Sequence, residues 1–142
     1  MKKVILMTVL TAVLTSSCSY YEENRMKTFS KYFTVSNADW REGADETGTY
    51  FFYSFPVSAL TQTVMQEGQL NAFYVYTLDG KEIHSPLPFS DFFVDEDNYK
   101  WEEHLTVEYE AGYVTFILKP DDHHTDIDPH WSNYQFLVKF MW

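Results

Sequence analysis

The chain has one cysteine, Cys18, in 142 residues. An internal disulfide is therefore excluded, and with it a disulfide-stapled small fold. Glycine and proline are scarce, at five each, which excludes collagen-like and low-complexity architectures. Basic residues are few: ten Lys and Arg stand against 21 Asp and Glu, a net charge of −11. Without a Lys/Arg cluster nothing can replace the counterions of a phosphate backbone, so nucleic-acid binding is excluded. Docking to anionic lipid headgroups through basic side chains is excluded for the same reason. The longest largely apolar run, Val4 to Leu14, is eleven residues. A bilayer-spanning helix needs roughly 20. Two common hydrolase signatures are also missing, the Gly-x-Ser-x-Gly elbow and the His-Glu-x-x-His pair.

What is present begins with the first eighteen residues. Lys2 and Lys3 precede the apolar run, and Thr15, Ser16 and Ser17 follow it. A basic start, a short apolar core and small residues at a cleavage site make a secretory signal. Leu14-Thr15-Ser16-Ser17-Cys18 resembles a bacterial lipobox, in which the cysteine is acylated and the chain is cut just before it. The usual pattern has Leu three residues before the cysteine; here Thr15 stands there and Leu14 is one earlier. The resemblance implies removal of residues 1–17, lipid attachment at Cys18, and a lipidated linker over residues 18–28. One acyl chain holds a protein only marginally, so the two or three chains of a lipoprotein cysteine are what make an anchor stable. Glu22 and Glu23 resemble the surface-export signal of Bacteroidota lipoproteins. The expected location is the outer membrane, by a lipid anchor; display at the cell surface and a periplasmic orientation both stay open.

Loss of Lys2 and Lys3 moves the net charge from −11 to −13. Excess acid keeps a tethered domain soluble and repels its neighbours. Aromatics make up 19% of the chain, with 12 Phe, 11 Tyr and 4 Trp. Such bulk suits pleated sheets, where flat side chains pair across strands.

The remainder, residues 29–142, reads as short strands. Phe29 to Ser36, Thr49 to Phe55, Gln69 to Thr77, Tyr99 to Tyr109, Tyr113 to Lys119 and Asn133 to Trp142 alternate with period two, Lys81 to Ser85 pairs back from a turn, and Phe89 to Val94 is a short apolar piece. Asn37 to Gly48 reads as a polar loop. Thr49 to Phe55 is aromatic on both faces, so its buried side stays open. Ser58 to Glu67 is the one helical candidate, with Thr61 as cap and Gly68 as stop. Asp79-Gly80 is the strongest hairpin signal. Seven or eight strands with frequent turns and one short connecting helix predict an all-β protein, an antiparallel β-sandwich of immunoglobulin-like or similar Greek-key type. A closed barrel is the runner-up. The last strand is one candidate for a free edge.

Phe33-x-Val35, Asp39-Trp40, Tyr50-Phe51-Phe52-Tyr53, Pro56-x-x-x-Leu60-Thr61 with Gly68, Phe73-x-Val75-Tyr76, Leu87-Pro88 and Gly112-x-Val114-x-Phe116 follow in order. This resembles a group of small Bacteroidota outer-membrane lipoproteins of unknown function with a single β-sandwich domain. The resemblance covers most of the mature chain. Its motifs are strand and turn features, so it implies a fold and no catalytic site.

Three functional readings follow. The first is a non-catalytic binding or interaction module, with an envelope protein as partner. The second is glycan binding by exposed aromatics, with Trp40, Tyr50, Tyr74, Trp101 and Trp131 as candidates. The third is a divalent metal in the loop 121–130, through Asp121, Asp122, His123, His124, Asp126, Asp128 and His130. Carboxylates suit Ca²⁺ and imidazoles suit Zn²⁺ or Cu²⁺, but the spacing matches no established motif, and a solvated loop explains the same residues. Core packing is the ordinary use of the aromatics. The acid pairs Glu102/Glu103 and Asp95/Asp97 suit glycosidase chemistry only at the right separation, so catalysis is not expected.

Overall fold

The computed structural model describes residues 26–94, 97–121 and 133–142. Period-two alternation becomes two antiparallel sheets. The strands are β1 (Thr28–Val35), β2 (Arg41–Asp45), β3 (Gly48–Pro56), β4 (Gln69–Leu78), β5 (Lys81–Pro86), β6 (Phe89–Val94), β7 (Lys100–Glu110), β8 (Tyr113–Pro120) and β9 (Tyr134–Met141). One sheet has the order β1-β9-β4-β5, the other β2-β3-β8-β7-β6. The fold is a β-sandwich, as expected. Its strands number nine among the described residues, because β2 arises inside the segment read as a polar loop. Its residues Arg41-Glu42-Gly43-Ala44-Asp45 are almost all exposed. This edge strand buries neither face, so it carries no apolar alternation to read.

The inner faces make the core. Val114, Phe116 and Leu118 of β8 are buried, as are Tyr134, Phe136, Val138 and Phe140 of β9. Phe116 and Phe136 stack across the two sheets at 3.9 Å and 7°. Phe33 of β1 bridges the same gap, 4.9 Å from Phe55 and 6.1 Å from Phe116. These contacts settle the face of β3: Phe51, Tyr53 and Phe55 point inward. Tyr50, Phe52 and Ser54 are left outside. The last strand is not an edge. β9 pairs with β1 on one side and β4 on the other, because its continuous aromatic inner face is needed at the centre of the core.

Short connections close one end. The helix α1 (Gln62–Glu67) occupies the last six residues of the helical candidate. The Thr61 hydroxyl accepts from the Val64 N–H at 3.3 Å, and the Gly68 N–H donates to the Val64 carbonyl at 2.8 Å. A side chain at Gly68 would strike the Val64 carbonyl oxygen, so the glycine is required by close approach. Val57, Leu60 and Val64 seal the core there. The Val57 N–H donates to the Gly112 carbonyl and the Gly112 N–H to the Leu60 carbonyl, both at 2.7 Å, which ties this cap to the β7–β8 hairpin. The β4–β5 hairpin turns at Asp79 and Gly80, both with positive φ, 51° and 75°, as the primed turn demands.

Candidate functional site: the outer face of the five-stranded sheet

Once β3 buries Phe51, Tyr53 and Phe55, its other side must face out. Register carries this outward set across the sheet. Phe52 lies beside Ile117 of β8, which lies beside Thr106 of β7. Ser54 lies beside Thr115, which lies beside Glu108. These side chains line an open hollow of about 490 Å³. Tyr50 lines it as well, and Asp45 and Lys119 stand at its rim.

The floor is aromatic and the wall polar. The Tyr50 and Phe52 rings have centroids 5.9 Å apart and planes at 47°. Both residues are half-buried, so each ring keeps an exposed part. The Ser54 and Thr115 hydroxyls share a hydrogen bond of 2.7 Å. The Lys119 ammonium lies 3.3 Å from Asp45 Oδ1 and also donates to the Thr47 hydroxyl. The Thr47 hydroxyl and backbone N–H both donate to Asp45, and with Lys119 they hold its carboxyl below the usual range. Asp45 is therefore ionised at neutral pH and fixes Lys119 at the rim. With Glu108, the lining carries two acids and one base. An apolar floor with hydroxyl, carboxylate and ammonium groups around it can cover one flat face of a small polar molecule and bond its rim.

The other candidates sit elsewhere. Trp101 is only 5% exposed, and its indole N–H donates to Glu103 at 3.0 Å. Glu103 is buried and also accepts from the Tyr134 hydroxyl at 2.9 Å. Burial and this carboxylate push the Tyr134 hydroxyl far above its ordinary pKa. Trp40 meets Tyr134 edge-on at 5.5 Å, and its buried Nε1 has no hydrogen-bond partner among the described residues. Tyr74 packs on Phe89, Tyr134 and Phe136. The fold thus brings Trp40, Tyr74 and Trp101 together at one end of the interior, as packing rather than as an exposed stacking face. The reason is strand parity: Tyr74 and Trp101 occupy inward positions. Glu102 and Glu103 point to opposite faces, so the pair does not converge on one point.

Asp121 exchanges hydrogen bonds with Glu102. Its backbone N–H donates to the Glu102 carbonyl, and its Oδ1 accepts from the Glu102 N–H, both at 3.0 Å. Asp122, His123, His124, Asp126, Asp128, His130, Trp131 and Cys18 lie outside the described residues. Among the described residues, no group of three or more His, Cys, Asp or Glu is placed to hold a metal ion. No helix among them is long and apolar enough to cross a membrane. Compared with protein-family models, with curated proteins and with solved structures, the chain matches none.

Of the sequence candidates among the described residues, only Tyr50 reaches the hollow. Phe52, Asp45, Glu108 and Lys119 were missed. Their signal was the outward parity of β3, β7 and β8, which becomes readable only when the order β2-β3-β8-β7 is known.

Proposed function

We propose that this protein is a lipid-anchored envelope lipoprotein that acts as a non-catalytic binding module, with carbohydrate as the ligand of its outer hollow. The observation that carries the reading is the pair of half-buried rings, Tyr50 and Phe52, lining an open polar-rimmed hollow of about 490 Å³. A pyranose has an apolar C–H face and a rim of hydroxyls. The face removes apolar ring surface from water. The rim exchanges hydrogen bonds with hydroxyls, carboxylates and an ammonium. An anchor at Cys18 followed by a polar linker would hold such a surface away from the membrane, where external glycans are met.

The test is a glycan array probed with the full-length protein in detergent micelles, wild type beside Phe52→Ala. Binding to a defined glycan class, lost in the variant, is the expected result. An array with no signal above background overturns the carbohydrate reading. Anchoring is tested separately by protease shaving of intact cells. Wild type should be cleaved, and Cys18→Ala should be released or lost. Protection until the outer membrane is opened would place the domain in the periplasm instead.

A further inference from the structure

Tyr50 does not stand upright from its strand. Gly43 is its register partner on β2. A Cβ built on Gly43 would lie 2.6 Å from Tyr50 Cζ, 2.7 Å from Cε2 and 2.9 Å from the hydroxyl oxygen. Only a ring lying face-on over the glycine presents three adjacent atoms at such similar distances. One face of the Tyr50 ring is therefore spent on the Gly43 backbone, and its opposite face is turned outward. Gly43 has no positive φ. Its backbone does not call for glycine; the space under the ring does. Aromatic cover of an edge-strand glycine is a recurrent sheet device, and here it lays a platform flat before any ligand arrives.

The second ring is not coplanar with the first. The 47° between Tyr50 and Phe52 excludes a single flat surface under both. A ribbon-like chain such as a β-1,4-linked glucan offers coplanar faces in succession and can seat on only one ring. A chain whose successive sugar rings turn can seat on both. Charge adds a second restriction. Lys119 is held by Asp45 and Thr47, and Glu108 is left over among the lining charges, so an anionic chain meets net repulsion.

Building on the carbohydrate reading above, we propose that the hollow selects uncharged polysaccharides with turning backbones, and that Gly43 is the positioning residue that presets Tyr50 as its first stacking subsite. Two sugar units then lie on Tyr50 and Phe52 in turn, with the polar wall bonding their hydroxyls.

The experiment is calorimetric titration of the full-length detergent-solubilised protein with four probes: maltoheptaose and laminarihexaose as turning neutral chains, cellohexaose as a flat one, and hexagalacturonate as an anionic one. At least one turning chain should bind about tenfold more tightly than the flat and anionic chains. Gly43→Ala adds one methyl group on an exposed edge strand, so its melting temperature should match wild type. The methyl lifts the ring, and affinity should fall about tenfold, the value of one aromatic stacking contact. Tyr50→Ala removes the ring without crowding β2 and should lose affinity at least as far, which keeps the test decisive if Gly43→Ala is unstable. Equal binding of cellohexaose or hexagalacturonate overturns the selectivity. Unchanged affinity in a Gly43→Ala variant that melts like wild type overturns the role of Gly43, and unchanged affinity in Tyr50→Ala overturns the stacking subsite itself. In each of these cases the carbohydrate reading stands. If none of the four probes binds, this inference fails; if the array is blank too, the carbohydrate reading fails with it.

Discussion

The two outer faces of the sandwich are built from similar side chains and arranged differently. On the four-stranded sheet, Leu137 and Val75 point outward, yet they are only 2% and 4% exposed. Neighbouring side chains close over them. Tyr32 of β1 reaches across to β5, where its hydroxyl donates to Glu82 at 3.1 Å. The same Glu82 oxygen lies 2.5 Å from His84 Nε2. The His84 ring meets Tyr32 and Phe73 at 6.3 Å each, and Lys139 lies 5.8 Å over Phe73. A smaller hollow of about 310 Å³ beside this strap has Phe73 in its lining. On the five-stranded sheet Asp45 and Lys119 pair with each other at the rim, and Tyr50 and Phe52 in the hollow stay half-buried, with no such strap across them among the described residues. It is on these two rings that the proposed ligand would seat.

Truncation should break this contrast most sharply. Leu137→Ala opens a cavity under the strap and should destabilise the fold by about 2–5 kcal/mol, read as a lower urea midpoint. Phe52→Ala on the open face should cost less than Leu137→Ala and abolish ligand binding instead. If both variants lose equal stability, the two faces are not different in kind.

The interior gives the next effect. Burial pushes the Tyr109 hydroxyl up to about 12 from the ordinary 10.0. A folded-state value above the unfolded one favours the protonated form in the fold. That contribution is complete below pH 10 and is lost as pH rises through about 12. Stability should fall across this window, and Tyr109→Phe should flatten the fall in a pH-resolved urea series.

Tyr32→Phe removes one end of the strap and leaves the ring. A small drop in melting temperature is expected, with increased binding of a hydrophobic dye as Leu137 and Val75 become accessible. No change in dye binding would show that the ring alone seals the face.

The smallest effect should be acid loosening of the same strap. Hydrogen bonds from His84 and then Tyr32 hold the Glu82 carboxyl below its ordinary 4.5. This contribution is present above pH 4.5 and is lost as pH falls through the lower folded-state value. Dye binding should rise on acidification in wild type and start high in Glu82→Gln.

Much of the scaffold was legible before folding. The alternation in Tyr113 to Lys119 was readable as a strand, and the structure buries its Val114, Phe116 and Leu118 set, because a strand with one buried face must alternate. Asp79-Gly80 and Thr61/Gly68 worked as punctuation because their geometry is local. The strand β2 was not legible, since its residues make no use of burial. Nor was the buried side of β3, where Tyr50, Phe52, Phe51, Tyr53 and Phe55 are aromatic on both faces. The candidate site fell in this blind area: one side is β2, the other the ambiguous strand, and they meet at Gly43 and Tyr50. Trp101 and Tyr74 misled for the converse reason, because an aromatic type carries no mark of whether it will be packed or displayed.

The chain by itself determined its all-β class, its turns, its acidic charge and the alternating sets of its clearest strands, because these follow from residue type and spacing within a few positions. Tertiary structure decided which aromatics are displayed. Placing β9 at the centre of one sheet and β3 beside β8 in the other turned Phe116 onto Phe136 and left Tyr50 and Phe52 outside. Register between strands distant in sequence makes that choice, and a shift of one residue in any of them would exchange the two faces.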